Sequence, residues 1–183
     1  LTVYAFSTEN WKRPPEEIGT IMRIVSDYLI EAVERVARDR ISLHIIGNRS
    51  MLSRDILEQI GRIEKIPMDD PLLHVNICLN YGGRDEITSA VREIGESLLN
   101  GSLEIKQITQ ETIAEHLYTK GFPDPDLVIR PSGEYRISNF LLWQSAYAEY
   151  YFTDDLWPDF TKETVNRAII SYQKRSRRFG GLE

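Results

Sequence analysis

Two arginines, Arg130 and Arg136, stand on either side of the turn Ser132-Gly133-Glu134, directly after the apolar run Leu127-Val128-Ile129. A guanidinium presents a rigid fork of donors that matches phosphate or carboxylate oxygens in bidentate fashion. Gly133 permits a positive φ and a close approach of backbone to ligand. Ser138 adds a hydroxyl, and a helix expected to begin near Ile137 would add amide donors at its positive end. No cysteine, histidine or lysine accompanies these residues, so the segment lacks a side-chain nucleophile. The chemistry it offers is the holding of an anion. An ion pair among Arg130, Glu134 and Arg136 that ties down a surface turn fits the segment equally well.

Two further polar segments invite the same question. Ser7-Thr8-Glu9-Asn10-Trp11-Lys12-Arg13 follows a short apolar run, and Asn80-Tyr81-Gly82-Gly83-Arg84 follows another. The second resembles a phosphate-cradling loop but lacks the P-loop lysine and the dinucleotide glycine spacing, so a tight strand-to-helix turn accounts for it better. Glu149 follows the helix-like aromatic stretch 140–148; its carboxylate suits a hard divalent cation or an arginine partner. His44, His74 and His116 have no metal-ligand spacing and read as structural or surface residues. Lys174-Arg175-Ser176-Arg177-Arg178 reads as a solvated basic tail or an anion-binding arm.

The elements that must position these residues alternate. Strands are expected at 1–6, 41–46, 72–79, 126–129 and near 150–153, and helices from Pro14-Pro15 to about 36, over 51–65, 85–99 and 109–118, and from Thr161 to about 176. Apolar residues at three- and four-residue steps from Ile18 to Val36 give the strongest helical signal in the chain. Strands alternating with helices predict an α/β fold with a mostly parallel central sheet flanked by helices. The three polar segments then fall at the carboxyl ends of strands, where such sheets gather their ligands.

The 183 residues are most simply one domain, 1–183, with 42% apolar and 27% charged residues, as in an ordinary globular protein. A net charge of -6 argues against general nucleic-acid binding, though local basic clusters can still hold small anions. Cys78, the only cysteine, lies in the apolar run Val75 to Leu79; it excludes an intrachain disulfide and points to a reducing compartment. No run approaches the ~20 apolar residues of a membrane span. Because Leu1-Thr2-Val3-Tyr4-Ala5-Phe6 already reads as a strand, residues are expected upstream of it.

Taken together, Tyr4 to Pro14, Asn80 to Asp85, Asp126 to Trp143, Ala146-Tyr147-Ala148-Glu149, Tyr151 to Asp154, Leu156 to Phe160 and Arg177-Arg178-Phe179-Gly180-Gly181 resemble the cis-prenyltransferases, the undecaprenyl diphosphate synthases and their relatives. The blocks run in order over nearly the whole chain. The resemblance implies condensation of isopentenyl diphosphate with an allylic diphosphate primer, farnesyl diphosphate above all, to give a Z-polyprenyl diphosphate such as a cell-wall lipid carrier. It implies Mg2+ as cofactor, a homodimer, no nucleic-acid partner, a hydrophobic tunnel between sheet and helices, and a cytoplasmic location that allows peripheral membrane contact for product release. Such an alkylation needs no enzyme nucleophile. It needs diphosphates held in line and their departing charge stabilised.

Roles follow from the resemblance residue by residue. Arg130, Arg136 and Ser138 match the residues that hold the diphosphate of isopentenyl diphosphate, and Glu149 matches the acidic residue linked to magnesium. Arg178 and Gly180 match a carboxy-terminal arginine-x-glycine motif that closes over the partner's site in dimers. Ser7, Asn10, Trp11 and Arg13 match the loop lining the catalytic region, and residues 18–36 match a wall of the tunnel. Two departures stand out. Pro131 occupies a position where threonine is frequent, and the family's Asp-Gly-Asn-Gly-Arg-Trp segment, with its catalytic aspartate, is not among these residues. The exact 183-residue chain is therefore expected to be inactive or nearly so, as part of an active enzyme. The alternative is a non-catalytic, stabilising or regulatory subunit of a heteromeric enzyme.

Overall fold

The computed structural model describes residues 1–175. They form two compact units that meet in sequence at Lys120 and Gly121.

In the first unit, β1 (Thr2–Ser7) leads through a 3-10 turn at Thr8–Lys12 into α1 (Pro15–Asp39). Then come β2 (Ile41–Ile46), α2 (Arg54–Ile63), β3 (Leu73–Tyr81), α3 (Gly83–Leu99) and the short α4 (Gln110–Ala114). The sheet order is β1-β3-β2, and both pairings are parallel. β3 takes the centre because both its faces are apolar enough to be covered: Asn76 to Tyr81 are all buried. Cys78 is wholly buried there, as the sequence predicts, and burial pushes its thiol above its ordinary range.

Pro15 at the first helical position and Glu16 and Glu17 in the first turn start α1. Leu29, Ala32 and Val36 turn into the core, where they meet Leu43 and Ile45 of β2 and Ile56 and Ile60 of α2. Burying each of these larger side chains contributes about 1.5–3 kcal/mol. Arg40, in the left-handed region at φ 52°, stops the helix and returns its N–H to the carbonyl of Val36. α2 begins at Arg54, three residues later than its expected start at Met51, because the Ser53 side chain accepts the amide of Ile56 and caps it. Gly47 closes β2 at φ +136°, and a Cβ there would sit 2.1 Å from the carbonyl oxygen of Leu79.

The second unit pairs β4 (Leu127–Arg130) in parallel with β5 (Glu149–Phe152), Leu127 opposite Glu149 and Arg130 opposite Phe152. α5 (Lys162–Gln173) buries Thr164 and Ala168. Two helical expectations fail here. No helix begins at Ile137, and 140–148 forms a series of turns. Ser138, Asn139 and Leu141 have φ of 48°, 65° and 45°, and a right-handed helix cannot pass through left-handed residues. Ser138 and Asn139 instead form the centre of a turn closed by the Phe140 amide on the Ile137 carbonyl at 3.0 Å. The predicted α4 is also short, since its capping threonine, Thr109, is followed by only one helical turn.

Candidate active site

In the first unit the candidate residues cluster on one turn. Ser7 is the last residue of β1, in register with Tyr81, and its amide donates to Asn10 Oδ1 at 2.8 Å. The Arg13 amide returns to the Asn10 carbonyl at 3.0 Å, so Asn10 folds the turn from both its side chain and its main chain. Arg13 reaches out to Glu17 with 2.6 Å between Nη1 and Oε1, an exposed pair of the kind worth ~1 kcal/mol or less. Trp11 lies edge-on to Phe6, ring centroids 5.3 Å apart, and its Nε1–H donates to Asn80 Oδ1 at 2.7 Å. Ser7, Asn10, Trp11 and Arg13 are thus brought together by local bonds at the carboxyl edge of the sheet.

Asn80-Tyr81-Gly82-Gly83-Arg84 is the strand-to-helix turn the sequence favours, with an unexpected distribution of work. Gly82 is extended and Gly83 is already helical, while Asn80 carries the positive φ of 49°. Beneath it, Glu86 is fully buried; Tyr81 donates its hydroxyl to Oε2 at 2.6 Å and the Tyr118 amide donates to Oε1 at 2.8 Å. Sequence reasoning missed both side chains. Asparagine is one of the residue types that tolerate the left-handed region, which is a weak signal at Asn80; the burial of Glu86 leaves no mark in the sequence, since acids are common in a helix's first turn.

In the second unit, Arg130 ends β4 and its Nε is buried with no hydrogen-bond partner among the described residues. Arg136, 65% exposed, pairs with Glu134. Of the ion pairs open to this segment, the structure forms that one and leaves Arg130 out of it. The amides of Ser132 and Gly133 donate to the carbonyls of Asp155 and Thr153, both at 2.9 Å. An anion here would therefore be met by side chains, not by the backbone amides of a helix start. Gly133, at φ +64°, leaves no spare room, because a Cβ would lie 3.1 Å from Asp154 Oδ1.

Glu149 opens β5 opposite Leu127, three ladder positions before Arg130, or roughly 10 Å along the strands. Its Oε2 is 2.6 Å from Nη1 of Arg175, whose Nη2 also donates to the Tyr150 carbonyl at 2.9 Å. Among the described residues no group of three or more histidine, cysteine or acidic side chains could hold a metal. One oxygen-donor carboxylate still suits Mg2+, which binds through one or two carboxylates plus substrate phosphates and waters. Glu149 thus fits a magnesium ion carried largely by a diphosphate. Arg178 and Gly180 lie outside the described residues.

A cavity of about 340 Å³ opens near the far end of α1, lined by Val36, Ile41, Leu43, His44, Ile63 and Ile66. His44 is held there by Ser42 Oγ, 2.8 Å from Nε2, and by a stacked ring contact with His74 at 6.1 Å. Burial and then the neighbouring His74 lower the His44 pKa from its ordinary 6.5, against a weaker pull upward from Glu64.

Parallel sheets flanked by helices, with polar turns after β1, β3 and β4, define an α/β protein. More particularly, the chain belongs to the prenyltransferase family described as undecaprenyl diphosphate synthase, whose model matches residues 1–180. It is 44% identical over 182 residues to an isoprenyl transferase of Clostridium tetani, covering 100% of this chain and 71% of the relative. It is 46% identical over 183 residues to the farnesyl-diphosphate-specific ditrans,polycis-undecaprenyl-diphosphate synthase of Haemophilus influenzae, covering 100% of this chain and 77% of that protein. Among solved structures, lavandulyl diphosphate synthase from Lavandula x intermedia in complex with dimethylallyl diphosphate matches with a TM-score of 0.91 at 36% identity, over 98% of this chain and 78% of that one.

Proposed function

We propose that the protein condenses isopentenyl diphosphate with an allylic diphosphate, farnesyl diphosphate in the first instance, to make a Z-polyprenyl diphosphate. The C1–oxygen bond of the allylic substrate breaks with its electron pair leaving on diphosphate. C4 of isopentenyl diphosphate bonds to C1, and a proton leaves C2 as the Z double bond forms. Arg130, Arg136 and Ser138 hold the diphosphate of isopentenyl diphosphate. Arg136 exchanges its weak surface pair with Glu134 for phosphate oxygens, a trade that loses at most ~1 kcal/mol. Ser7, Asn10, Trp11 and Arg13 line the allylic side. Glu149 would hold magnesium together with diphosphate oxygens after parting from Arg175; that ion, when bound, neutralises diphosphate charge.

The observation that carries this reading is the buried Nε of Arg130, which has no partner among the described residues. A buried donor left unsatisfied costs about 1–3 kcal/mol, more when charged, and a bound anion recovers that cost. The apolar residues of α1 lead from the 8–13 turn toward the cavity at Val36, which suits a growing hydrocarbon chain. No helix among the described residues is long and apolar enough to cross a membrane.

Titration calorimetry with isopentenyl diphosphate and Mg2+ tests the reading on this chain, and transfer of the radiolabelled compound onto farnesyl diphosphate tests it on an enzyme that also carries the Asp-Gly-Asn-Gly-Arg-Trp segment. Saturable binding that Arg130→Ala weakens by roughly 10–100-fold is the expected result. An absence of binding by either diphosphate overturns it.

A further inference from the structure

We propose that Asn80 is a positioning residue for Trp11: its buried carboxamide sets the indole, and with it the 8–13 turn, against the allylic diphosphate. The identity of that ligand rests on the prenyl-transfer reading; the hold on Trp11 does not.

Asn80 is 2% exposed and sits one residue before the end of β3. At φ 49° it occupies the left-handed region, which a glycine would enter without cost. Its side chain has work that glycine could not do. Oδ1 accepts from Trp11 Nε1 at 2.7 Å, and Nδ2 donates to the Asn48 carbonyl at 2.6 Å. The Asn80 carbonyl in turn accepts the Asn48 amide at 3.0 Å. One carboxamide therefore ties the segments that follow β1 and β2 to the end of β3. The line continues from Asn48 Nδ2 to Asp85 Oδ2 at 3.3 Å, and Asp85 accepts the hydroxyl of Tyr118 at the same distance.

Two contacts fix the indole, and they differ in kind. The edge-to-face contact with Phe6 holds ring against ring but tolerates rotation of the indole about its long axis. The hydrogen bond to Asn80 is directional and selects one orientation. Positioning on this scale matters to a reaction without an enzyme nucleophile, where a shift of ~1 Å can cost about 10²-fold in rate. A residue 69 positions downstream of Trp11 would thus govern a loop it does not belong to.

The test uses the full chain labelled with 5-fluorotryptophan and 19F NMR. Trp11→Phe, which keeps an aromatic ring against Phe6 while removing the N–H and the second ring of the indole, identifies the Trp11 resonance. Asn80→Gly keeps the left-handed backbone and removes only the carboxamide. Without ligand it should move or broaden the Trp11 resonance and leave those of Trp143 and Trp157 in place. With farnesyl diphosphate as probe, Asn80→Gly and Trp11→Phe should each raise Kd about tenfold, the effect of one lost hydrogen bond, and the double variant no further. An unmoved Trp11 resonance in Asn80→Gly, or losses that multiply to about a hundredfold in the double variant, would overturn the proposal. If the probe shifts no resonance of the unaltered chain, the prenyl-transfer reading and the ligand named here fail together. The ligand-free spectra then still decide whether Asn80 holds the ring.

Discussion

At the scale of single residues, Arg130 and Arg136 are chemically identical and physically unlike. Arg136 is mostly exposed and already paired with Glu134, so Arg136→Ala should leave the melting temperature almost unchanged. Arg130 is half-buried and its Nε has no partner among the described residues, so Arg130→Ala removes a cost to folding and should leave the protein as stable or slightly more so. Both variants should nevertheless weaken isopentenyl diphosphate binding, by roughly 10–100-fold for a charge-assisted contact. Calorimetry beside thermal unfolding checks the pair: parallel losses of stability and affinity would mark a structural role instead. His44 gives a second prediction, in pH. Its folded pKa lies below the ordinary 6.5, so between those two values the unfolded chain binds more protons. Its contribution to stability is fully present above 6.5 and fades as pH falls through the folded value. Unfolding followed at pH 7.5 and 5.5 should show a smaller acid loss for His44→Gln than for the unaltered chain.

At the scale of elements, the legible parts of the sequence were those in which local preference and packing agree. The apolar steps from Ile18 to Val36 and the proline and acids before them predict α1 nearly to its ends, and Leu29, Ala32 and Val36 do enter the core. The buried Cys78 follows from a pattern equally local. The 137–148 segment was not legible. Its aromatic and aliphatic residues have helical spacing, yet Ser138 and Leu141 adopt left-handed backbone, and neither residue type announces that. The same blindness covers Arg130, whose distinction from Arg136 is burial, and Asn80, whose partners lie 32 and 69 residues away. A prediction belongs to this scale. Gly47→Ala places a Cβ against the carbonyl of Leu79, backbone on backbone, where no rotamer change relieves it. β2 must then part from β3 at its carboxyl end, and urea unfolding should show a loss of roughly 2–4 kcal/mol. A loss below ~0.5 kcal/mol would mean that the turn at Gly47 yields easily.

At the scale of the whole molecule, the resemblance to the cis-prenyltransferases implies a homodimer. The second unit keeps apolar side chains in water that its own core does not use: Ile169 is 42% and Ile170 50% exposed on α5, and Trp157 is 62% exposed just before that helix. Burying such groups between copies would be favourable by about 25 cal/mol per Å² of apolar surface, offset by the entropy of association. Charge opposes it. Each copy carries -6, so two copies repel at long range, and salt screens that repulsion within about 10 Å at 0.1 M. Association should therefore tighten as salt rises from ~0.01 to 0.15 M, the reverse of an interface held by opposite charges. Sedimentation equilibrium checks this, with Ile170→Glu as the variant, since it adds charge and removes apolar area at once. The expected outcome is a dimer that this variant shifts toward monomer by at least tenfold in Kd. A chain that stays monomeric at every salt concentration, or an Ile170→Glu dimer of unchanged strength, would remove α5 from the interface.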